Sequence, residues 1–171
     1  MSKINPAPNR DAVLVVDDDP DLRVILAHAV GKLDCETIVA ENGTDALRLL
    51  EQSPAEIQAI VSDLNMPRMD GLTLLRHVRI ARPTIPVVIL TGYWTKESTL
   101  AALRLGAFDF LEKPYTPEVF DAAVSAAVAC GRANHRAART LARHLEKSGC
   151  SLSEQDAGFT ALMTFIGRHV A

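Results

Sequence analysis

The sequence predicts a doubly wound α/β fold, in which helices cover both faces of a five-stranded parallel sheet. Three observations carry this prediction. Short runs rich in β-branched residues alternate with segments of helical periodicity, the runs in the middle of the chain are apolar at consecutive positions, and Pro or Gly stands at the junctions. Alternation of strands and helices favours right-handed βαβ crossovers and therefore parallel strands. Strands that are apolar on both faces belong in a sheet covered on both sides.

The predicted elements follow one another from residue 12. The strands lie at 12–17, 35–39, 57–62, 86–91 and 107–111, and the helices at 20–32, 43–51, 72–81 and 96–105. Residues that favour helix starts or turns stand between them, namely Asp19-Pro20, Asn42-Gly43, Asp70-Gly71, Pro83 and Pro86. Residues 1–11 carry prolines and asparagines without periodicity, which predicts a flexible leader.

From Thr116 the chain keeps a helical period. Thr116 can cap this helix, with Pro117 at its first position. Gly131 predicts a break, so we expect a domain at 12–131 and a helical extension at 132–171. The extension should form a helical hairpin with a turn at 148–151. Its apolar residues are Ala138, Leu141, Ala142 and Leu145, then Phe159, Leu162, Met163, Phe165, Ile166 and Val170.

The composition is that of an ordinary globular protein. The 171 residues carry a formal net charge of −3, which gives no argument for nucleic acid. No apolar run approaches the roughly 20 residues of a membrane span, and the N-terminus lacks the apolar core of a signal peptide. Cys35, Cys130 and Cys150 fit neither a disulfide framework nor a zinc site. We therefore expect reduced thiols in a cytoplasmic protein.

Reactive side chains follow four of the predicted strands. The acidic run 17–19 closes the first strand, Asp63 the third, Thr91 the fourth and Lys113 the fifth. Because open parallel sheets bind ligands outside the carboxyl ends of their strands, we expect these side chains to share one edge. Each residue alone has an ordinary explanation as a loop or surface residue. Together, carboxylates, a hydroxyl and an ammonium suit a divalent cation with a phosphoryl group.

The motifs at these strand ends combine in a specific order. They are Val15-Val16-Asp17-Asp18, Ser62 to Pro67 with Asp70-Gly71, Leu90-Thr91-Gly92, and Gly106-Ala107 followed by Glu112-Lys113-Pro114. Together they resemble the receiver domain of bacterial two-component response regulators. The resemblance covers residues 12 to about 130 and does not reach the extension. It implies a flavodoxin-like sheet with strand order 2-1-3-4-5.

The resemblance also implies roles for the acidic residues. Asp63 would accept a phosphoryl group from the phosphohistidine of a sensor kinase or phosphotransfer protein, since a carboxylate can serve as the nucleophile. Asp18 and Asp63 would bind Mg²⁺ directly, Asp17 through water, and the backbone carbonyl of Asn65 would add a ligand. For Asp19 we prefer the role of a helix N-cap.

The remaining site residues would act on the phosphoryl group or respond to it. Thr91 would donate its hydroxyl to a phosphoryl oxygen, and Lys113 would pair with Asp63 and then with the phosphate. The Lys113-Pro114 bond would be cis, as is usual in receiver domains. Phe110 stands at the position of the switch aromatic, although an ordinary core aromatic is an equal alternative. Tyr93, beside Trp94, either slows hydrolysis of the phosphate or forms a partner surface.

The extension carries cations spaced by three or four residues, which places Arg132, Arg136, Arg139, Arg143 and Lys147 on one stripe of a helix. A solvated face is the preferred interpretation of this stripe. The opposite apolar stripe is thin and needs the last helix or a second protomer to cover it. We therefore expect a homodimer formed through the C-terminal helices.

The favoured function is a phosphorylation-controlled signalling module, not an enzyme, that acts through an unknown output protein or through dimerisation. One alternative is a DNA-binding transcriptional regulator that uses the basic helix. Another is a phosphatase of the haloacid-dehalogenase type, which also uses an Asp nucleophile. Such enzymes place a second Asp two residues after the nucleophile, where this chain has Asn65, which cannot transfer a proton.

Overall fold

The computed structural model of the protein describes residues 11–33, 35–53, 56–93 and 95–147. Strands and helices alternate along this part of the chain. They are β1 (Asp11–Val16), α1 (Pro20–Gly31), β2 (Glu36–Ala40), α2 (Gly43–Gln52), β3 (Glu56–Asp63), α3 (Gly71–Ala81), β4 (Val87–Thr91), α4 (Lys96–Leu105), β5 (Asp109–Glu112) and α5 (Pro117–Lys147).

The strands form one parallel sheet with the order β2-β1-β3-β4-β5. This confirms the predicted doubly wound fold and its strand order. Alternate residues of a strand face opposite sides of the sheet. Leu14 of β1 therefore packs in the apolar cluster under α2 and α3, whereas its neighbour Val15 packs in the cluster under α1 and α5. The sheet is thus covered on both faces, as its apolar strands require.

Side-chain caps fix where the helices begin. Asp19 lies directly before Pro20, and its side chain accepts hydrogen bonds from the backbone N–H groups of Asp21 and Leu22, at 2.8 and 3.3 Å. Asn42 and Asp70 cap α2 and α3 in the same way. Each cap satisfies backbone donors that a helix start leaves without partners. The preferred role of Asp19 as an N-cap agrees with this geometry.

The predicted leader ends one residue too late. Asp11 belongs to β1, where it pairs with Glu56 of β3. Its carboxylate also holds two partners, because Gln58 Nε2 donates to Oδ1 at 2.6 Å and Arg132 Nε donates to Oδ2 at 2.7 Å. These contacts order the residue, and a polar side chain at a strand start carries no apolar signal that reveals them. Residues 1–10 lie outside the described part of the chain.

The helix break predicted at Gly131 is wrong, because α5 runs through this residue without interruption. A Cβ atom at Gly131 would lie 1.8 Å from the carbonyl oxygen of Gln58. Glycine is therefore needed for the close approach of α5 to β3 and does not end the helix. The division into a domain at 12–131 and an extension at 132–171 stays a prediction, and its boundary falls inside a helix. The predicted turn and last helix lie outside the described residues.

The part of α5 after Cys130, which we call the stem (131–147), is held against the edge of the sheet where the strands begin. We call this edge the amino edge. Besides Arg132 on Asp11, His135 Nδ1 lies 2.8 Å and Arg139 Nη1 3.2 Å from the carboxylate of Glu56. Asn134 Nδ2 donates to the carbonyl of Thr84 at 2.9 Å. We refer to these contacts together as the latch.

The latch divides the predicted basic stripe. Arg136, Arg143 and Lys147 are exposed, as a solvated face requires. Arg132 and Arg139 also pair with acids of the sheet, although their side chains stay 39% and 58% exposed, so these two residues of the stripe have partners as well as contact with solvent. The physical reason is that the stem lies along the amino edge, where Asp11 and Glu56 supply counter-charges. No helix in the described part of the chain is long and apolar enough to cross a membrane.

We predict that His135 makes the stability of the protein depend on pH. Burial lowers the pKa of His135, an effect that Glu56 and Asp11 oppose and Arg139 reinforces. In the unfolded chain the pKa should be about 6.5. Below that pH the unfolded chain therefore binds a proton that the folded chain resists, and the free energy of unfolding falls as the pH falls toward the folded value.

Urea unfolding at pH 7.5 and pH 5.5 measures this dependence. The loss of stability on acidification should be smaller in His135→Gln than in the native protein. His28→Gln, at an exposed position of α1, is the matched control and should keep the native dependence. An equal loss in the native protein and in His135→Gln would contradict the assignment.

Candidate functional site at the carboxyl edge of the sheet

The strand ends bring the predicted site residues to the carboxyl edge of the sheet. Asp63 is the last residue of β3 and Thr91 the last of β4, while Asp17 and Lys113 directly follow β1 and β5. The register pairs Asp63 with Leu90 and Thr91 with Glu112, so neighbouring strands end nearly level. The sheet itself therefore positions these side chains.

Lys113 joins the two buried carboxylates of the site. Its Nζ donates to Asp63 Oδ1 at 2.5 Å and to Asp17 Oδ2 at 3.2 Å. The side chains of Asp17 and Asp63 are 2% and 9% exposed, so these charge pairs are shielded from water. The backbone N–H of Lys113 donates to the carbonyl of Thr91 at 2.7 Å, and the predicted cis bond between Lys113 and Pro114 is present.

Burial and charge act against each other at this site. Burial raises the pKa of Asp17, and the charge of Asp63 adds to this, while the N–H of Asp19 and the ammonium of Lys113 oppose it. Burial alone would lower the pKa of Lys113, but the carboxylates of Asp63 and Asp17 together raise it above its ordinary value. The charged form of Lys113 is therefore stabilised as the counter-ion of the acidic pair.

The loop after β3 is fixed from several sides. Asn65 donates its backbone N–H to Asp63 Oδ2 at 2.7 Å, which orients the carboxylate. Gly71 begins α3 so close to this loop that a Cβ atom would lie 2.3 Å from the carbonyl oxygen of Asp63. Arg68 has a φ of 66° and pairs with Glu41 at 3.0 Å. Asp63 is thus held by its own loop as well as by Lys113.

The donor set fits a magnesium ion. Asp17 and Asp63 converge on one cation, Lys113, and both offer the carboxylate oxygens that Mg²⁺ prefers. Asp18 is exposed on the same loop as Asp17. No group of three metal-binding side chains is preassembled within the described residues. Such a sparse set is compatible with Mg²⁺, which usually keeps several of its waters.

Thr91 and the aromatic residues are placed differently from the carboxylates. The Thr91 hydroxyl accepts the N–H of Tyr93 at 3.1 Å and donates to the carbonyl of Tyr93 at 3.0 Å. Thr91 is therefore at the predicted edge with its hydroxyl engaged by the β4–α4 loop. Phe110 is half-buried against the apolar cluster under α2 and α3. Tyr93 is 81% exposed, and Trp94 lies outside the described residues.

Sequence reasoning missed two residues beside the site. Arg23 of α1 donates from Nη1 to the backbone carbonyl of Asp17 at 2.6 Å and so anchors the acidic loop. Tyr115 stacks on Phe120 of α5, with ring centroids 5.6 Å apart. Burial raises the pKa of Tyr115, and Asp17 and Asp63 add to the rise against the effect of Lys113, which places the phenol in the field of the site. The sequence did contain a signal for Arg23. It lies four residues after the cap Asp19, which places it on the side of α1 that faces the acidic loop.

Comparison with known proteins agrees with this geometry. The sequence-family model of the response regulator receiver domain matches residues 13–125. The response regulator protein PilR of Pseudomonas aeruginosa is 35% identical over 106 residues, which are 62% of this chain and 23% of PilR. The DNA-binding transcriptional regulator NtrC of Salmonella typhimurium is 32% identical over 140 residues, which are 82% of this chain and 28% of NtrC.

A solved structure shows the same likeness. The crystal structure of the receiver domain of NtrX from Brucella abortus is 30% identical and superimposes with a TM-score of 0.63, over 68% of this chain and 98% of that domain. The match is thus to a whole receiver domain. By contrast, the chain spans about a quarter of the length of the PilR and NtrC proteins that it matches.

We predict that Lys113 and Asp63 are energetically coupled. Lys113→Met should lower the free energy of unfolding at pH 7 by about 1.5–3 kcal/mol, because it leaves two shielded carboxylates without their shared donor. In an Asp63→Asn background one of the two negative charges is already gone. Lys113→Met should therefore lower the free energy of unfolding by less than in the native protein. Urea unfolding of the native protein, Lys113→Met, Asp63→Asn and the double variant, all without divalent cations, measures the coupling.

Lys96→Met, at an exposed position of α4, is the matched control and should change stability by less than about 0.5 kcal/mol. Additive effects of Lys113→Met and Asp63→Asn would show that the pair is not coupled.

Proposed function

The chain belongs to the response regulator receiver domain family, and we propose that Asp63 accepts a phosphoryl group from the phosphohistidine of a partner kinase in a two-component system. The observation that carries this proposal is the convergence of Asp63, Asp17 and Lys113 at the carboxyl edge of the sheet. The family is one of signalling proteins, so the transfer is a switching event and not the turnover of a substrate.

The geometry supports a direct displacement. A carboxylate oxygen of Asp63 would attack the phosphorus atom, and the bond between phosphorus and the histidine nitrogen of the kinase would break, so that nitrogen keeps the bonding electron pair. Lys113 already lies at 2.5 Å from Oδ1, where it can neutralise charge on a phosphoryl oxygen. Mg²⁺, when bound by Asp18, Asp63, the Asn65 carbonyl and Asp17 through water, would supply further neutralisation of that charge.

The switch follows from the engagement of Thr91. Its hydroxyl has a single proton, which it donates to the carbonyl of Tyr93, so this hydrogen bond must break before the hydroxyl can donate to a phosphoryl oxygen. The β4–α4 loop then loses the hydrogen bond to the carbonyl of Tyr93 and can rearrange. Phe110 pairs in register with Ile89 of β4 and is only half-buried, so its ring can follow that change. Thr91 and Phe110 would in this way report phosphorylation of Asp63 to a protein partner.

We predict that Asp63 is the sole phosphorylation site. Incubation with Mg²⁺ and a small phosphodonor should add one phosphate, detected by intact-mass spectrometry. Asp63→Asn should abolish the uptake, because an amide is a poor nucleophile. Asp109→Asn, an exposed acid at the start of β5, is the matched control and should be phosphorylated like the native protein. Equal uptake by Asp63→Asn would refute the assignment.

We predict that Mg²⁺ binding depends on Asp18. Asp18→Asn should weaken the affinity about tenfold or more, since even outer partners of a metal site have effects of that size. Asp21→Asn removes an exposed carboxylate three residues further along and should leave the affinity unchanged. Titration calorimetry measures both. A native affinity in Asp18→Asn would rule out Asp18 as a ligand.

The output of the protein is proposed to run through protein partners or through dimerisation. A DNA-binding role is the second candidate, and the observation in its favour is that the relative NtrC is a DNA-binding transcriptional regulator. The chain spans about a quarter of NtrC, so DNA binding is stated of that relative and is proposed for this chain as the second candidate. The exposed cations of the stem, Arg136, Arg143 and Lys147, would be the residues available for it.

We predict that the full chain is a dimer through its C-terminal helices. In the sequence, residues 159–166 offer Phe159, Leu162, Phe165 and Ile166, and burial of each such side chain contributes about 1.5–3 kcal/mol. Among the stem residues whose burial is described, 131–144 and 147, none is an exposed large hydrophobic residue. Light scattering should give a dimer for residues 1–171 and a monomer for residues 1–147. A full-length monomer at tens of micromolar would exclude this interface.

A further inference from the structure

Helix α5 is anchored to the phosphorylation site at its first turn. Only three residues separate Lys113 from Pro117, where the helix begins. Within that connection Tyr115 stacks on Phe120, which is itself buried in the cluster under α1 and α5. A movement of Lys113 away from Asp63 therefore acts on the start of α5 through a short, packed connection.

The other end of α5 is anchored at the opposite edge of the sheet by the latch. The acids that hold it come from two strands, Asp11 from β1 and Glu56 from β3. The backbone of the helix also touches the sheet directly, because Gly131 leaves no room for a Cβ atom beside the carbonyl of Gln58. One helix is thus fixed at both edges of the sheet.

Between its two anchors the helix has no device that would absorb a movement. From Pro117 to Arg132, the first latch residue, it rises 15 positions, or about 22 Å at 1.5 Å per residue, and no proline lies between these two residues. Its buried face, which includes Val124 and Ala127, packs continuously in the cluster under α1 and α5. A displacement at the first turn is therefore transmitted to the stem.

The latch is not a fully satisfied contact. Within the described part of the chain, Gln58 Oε1 and Asn134 Oδ1 are buried there without a hydrogen-bond partner. Each buried polar atom without a partner costs free energy that a satisfied interface would recover. The charge pairs beside them are partly exposed and individually weak. The latch therefore lies closer to balance between docked and undocked arrangements than the apolar part of α5.

We propose that the latch holds α5 in the position in which Lys113 bonds Asp63, and that a phosphoryl group on Asp63 releases the stem from the amino edge. This proposal rests on the proposed function of Asp63. It goes beyond it, because it places a response to phosphorylation at the edge of the sheet opposite the site. Binding linkage requires the reverse effect as well, so weakening the latch must strengthen the binding of a phosphoryl analogue at Asp63.

The test uses the full chain with Mg²⁺ and beryllofluoride, a tetrahedral analogue of a phosphoryl group on a carboxylate. Gly131→Ala displaces the stem, and Glu56→Gln removes the charge that His135 and Arg139 share. Either variant should bind the analogue about fivefold more tightly than the native protein, at the lower end of typical coupling between sites. Glu56→Gln keeps the test decisive if Gly131→Ala does not fold.

Two matched controls accompany the variants. Gly31→Ala adds a Cβ atom that would meet nothing within 4 Å apart from its neighbours and the backbone of its own helix. Glu51→Gln removes an exposed charge on α2. Both should bind the analogue like the native protein. Hydrogen exchange supplies the direct readout, since amides 132–139 of the native protein should exchange about tenfold faster once the analogue is bound.

The outcomes separate the two proposals. If the native protein does not bind the analogue, or if Asp63→Asn binds it equally well, the proposed function fails and the release of the stem fails with it. If the native protein binds the analogue through Asp63 while stem exchange stays constant, only the release is overturned. Unchanged affinity in both latch variants would also overturn it.

Discussion

The contact of the Lys113 ammonium with Asp63 and Asp17 is the constraint around which the rest of the structure is arranged. Two carboxylates that are nearly buried repel one another unless a cation lies between them. The cation comes from the end of β5, which is separated from β3 by β4 and hence by two strand spacings, or about 9.6 Å. Only a long side chain spans that distance, so the strand order and the choice of lysine depend on each other.

The sequence predicted those parts of the structure that follow from local periodicity and from strand ends. Asp17, Asp63 and Lys113 meet because parallel strands end at one edge, a rule that needs no coordinates. The predicted bounds of the elements were less accurate where a turn joins a helix to the next strand. The predicted fifth strand began at Ala107, but Gly106 has a φ of 80° and the N–H of Ala107 donates to the carbonyl of Ala102, so the residue closes α4 instead.

Contacts between distant segments account for most of what the sequence could not predict. The Thr91 hydroxyl was expected to face the site, and no local pattern indicates that it is engaged by Tyr93. Gly131 is the clearest case. Its low helix propensity is a local signal that favours a break, whereas the carbonyl of Gln58, which makes glycine necessary, is 73 positions earlier in the chain. The roles of Arg132 and Arg139 changed for the same reason, because their partners lie on strands β1 and β3.

The two edges of the sheet differ in how strongly they hold their charges. At the carboxyl edge the acids are 2% and 9% exposed, and little water screens their interaction with Lys113. At the amino edge Asp11 and Glu56 are 31% and 20% exposed, while Arg132 and Arg139 are 39% and 58% exposed, so those pairs are screened more. A new charge on Asp63 would therefore perturb the strong contact directly, and the weaker contact would yield first. Since α5 connects the two edges as one continuous helix, the amino edge is where we expect a change at Asp63 to become a change in shape.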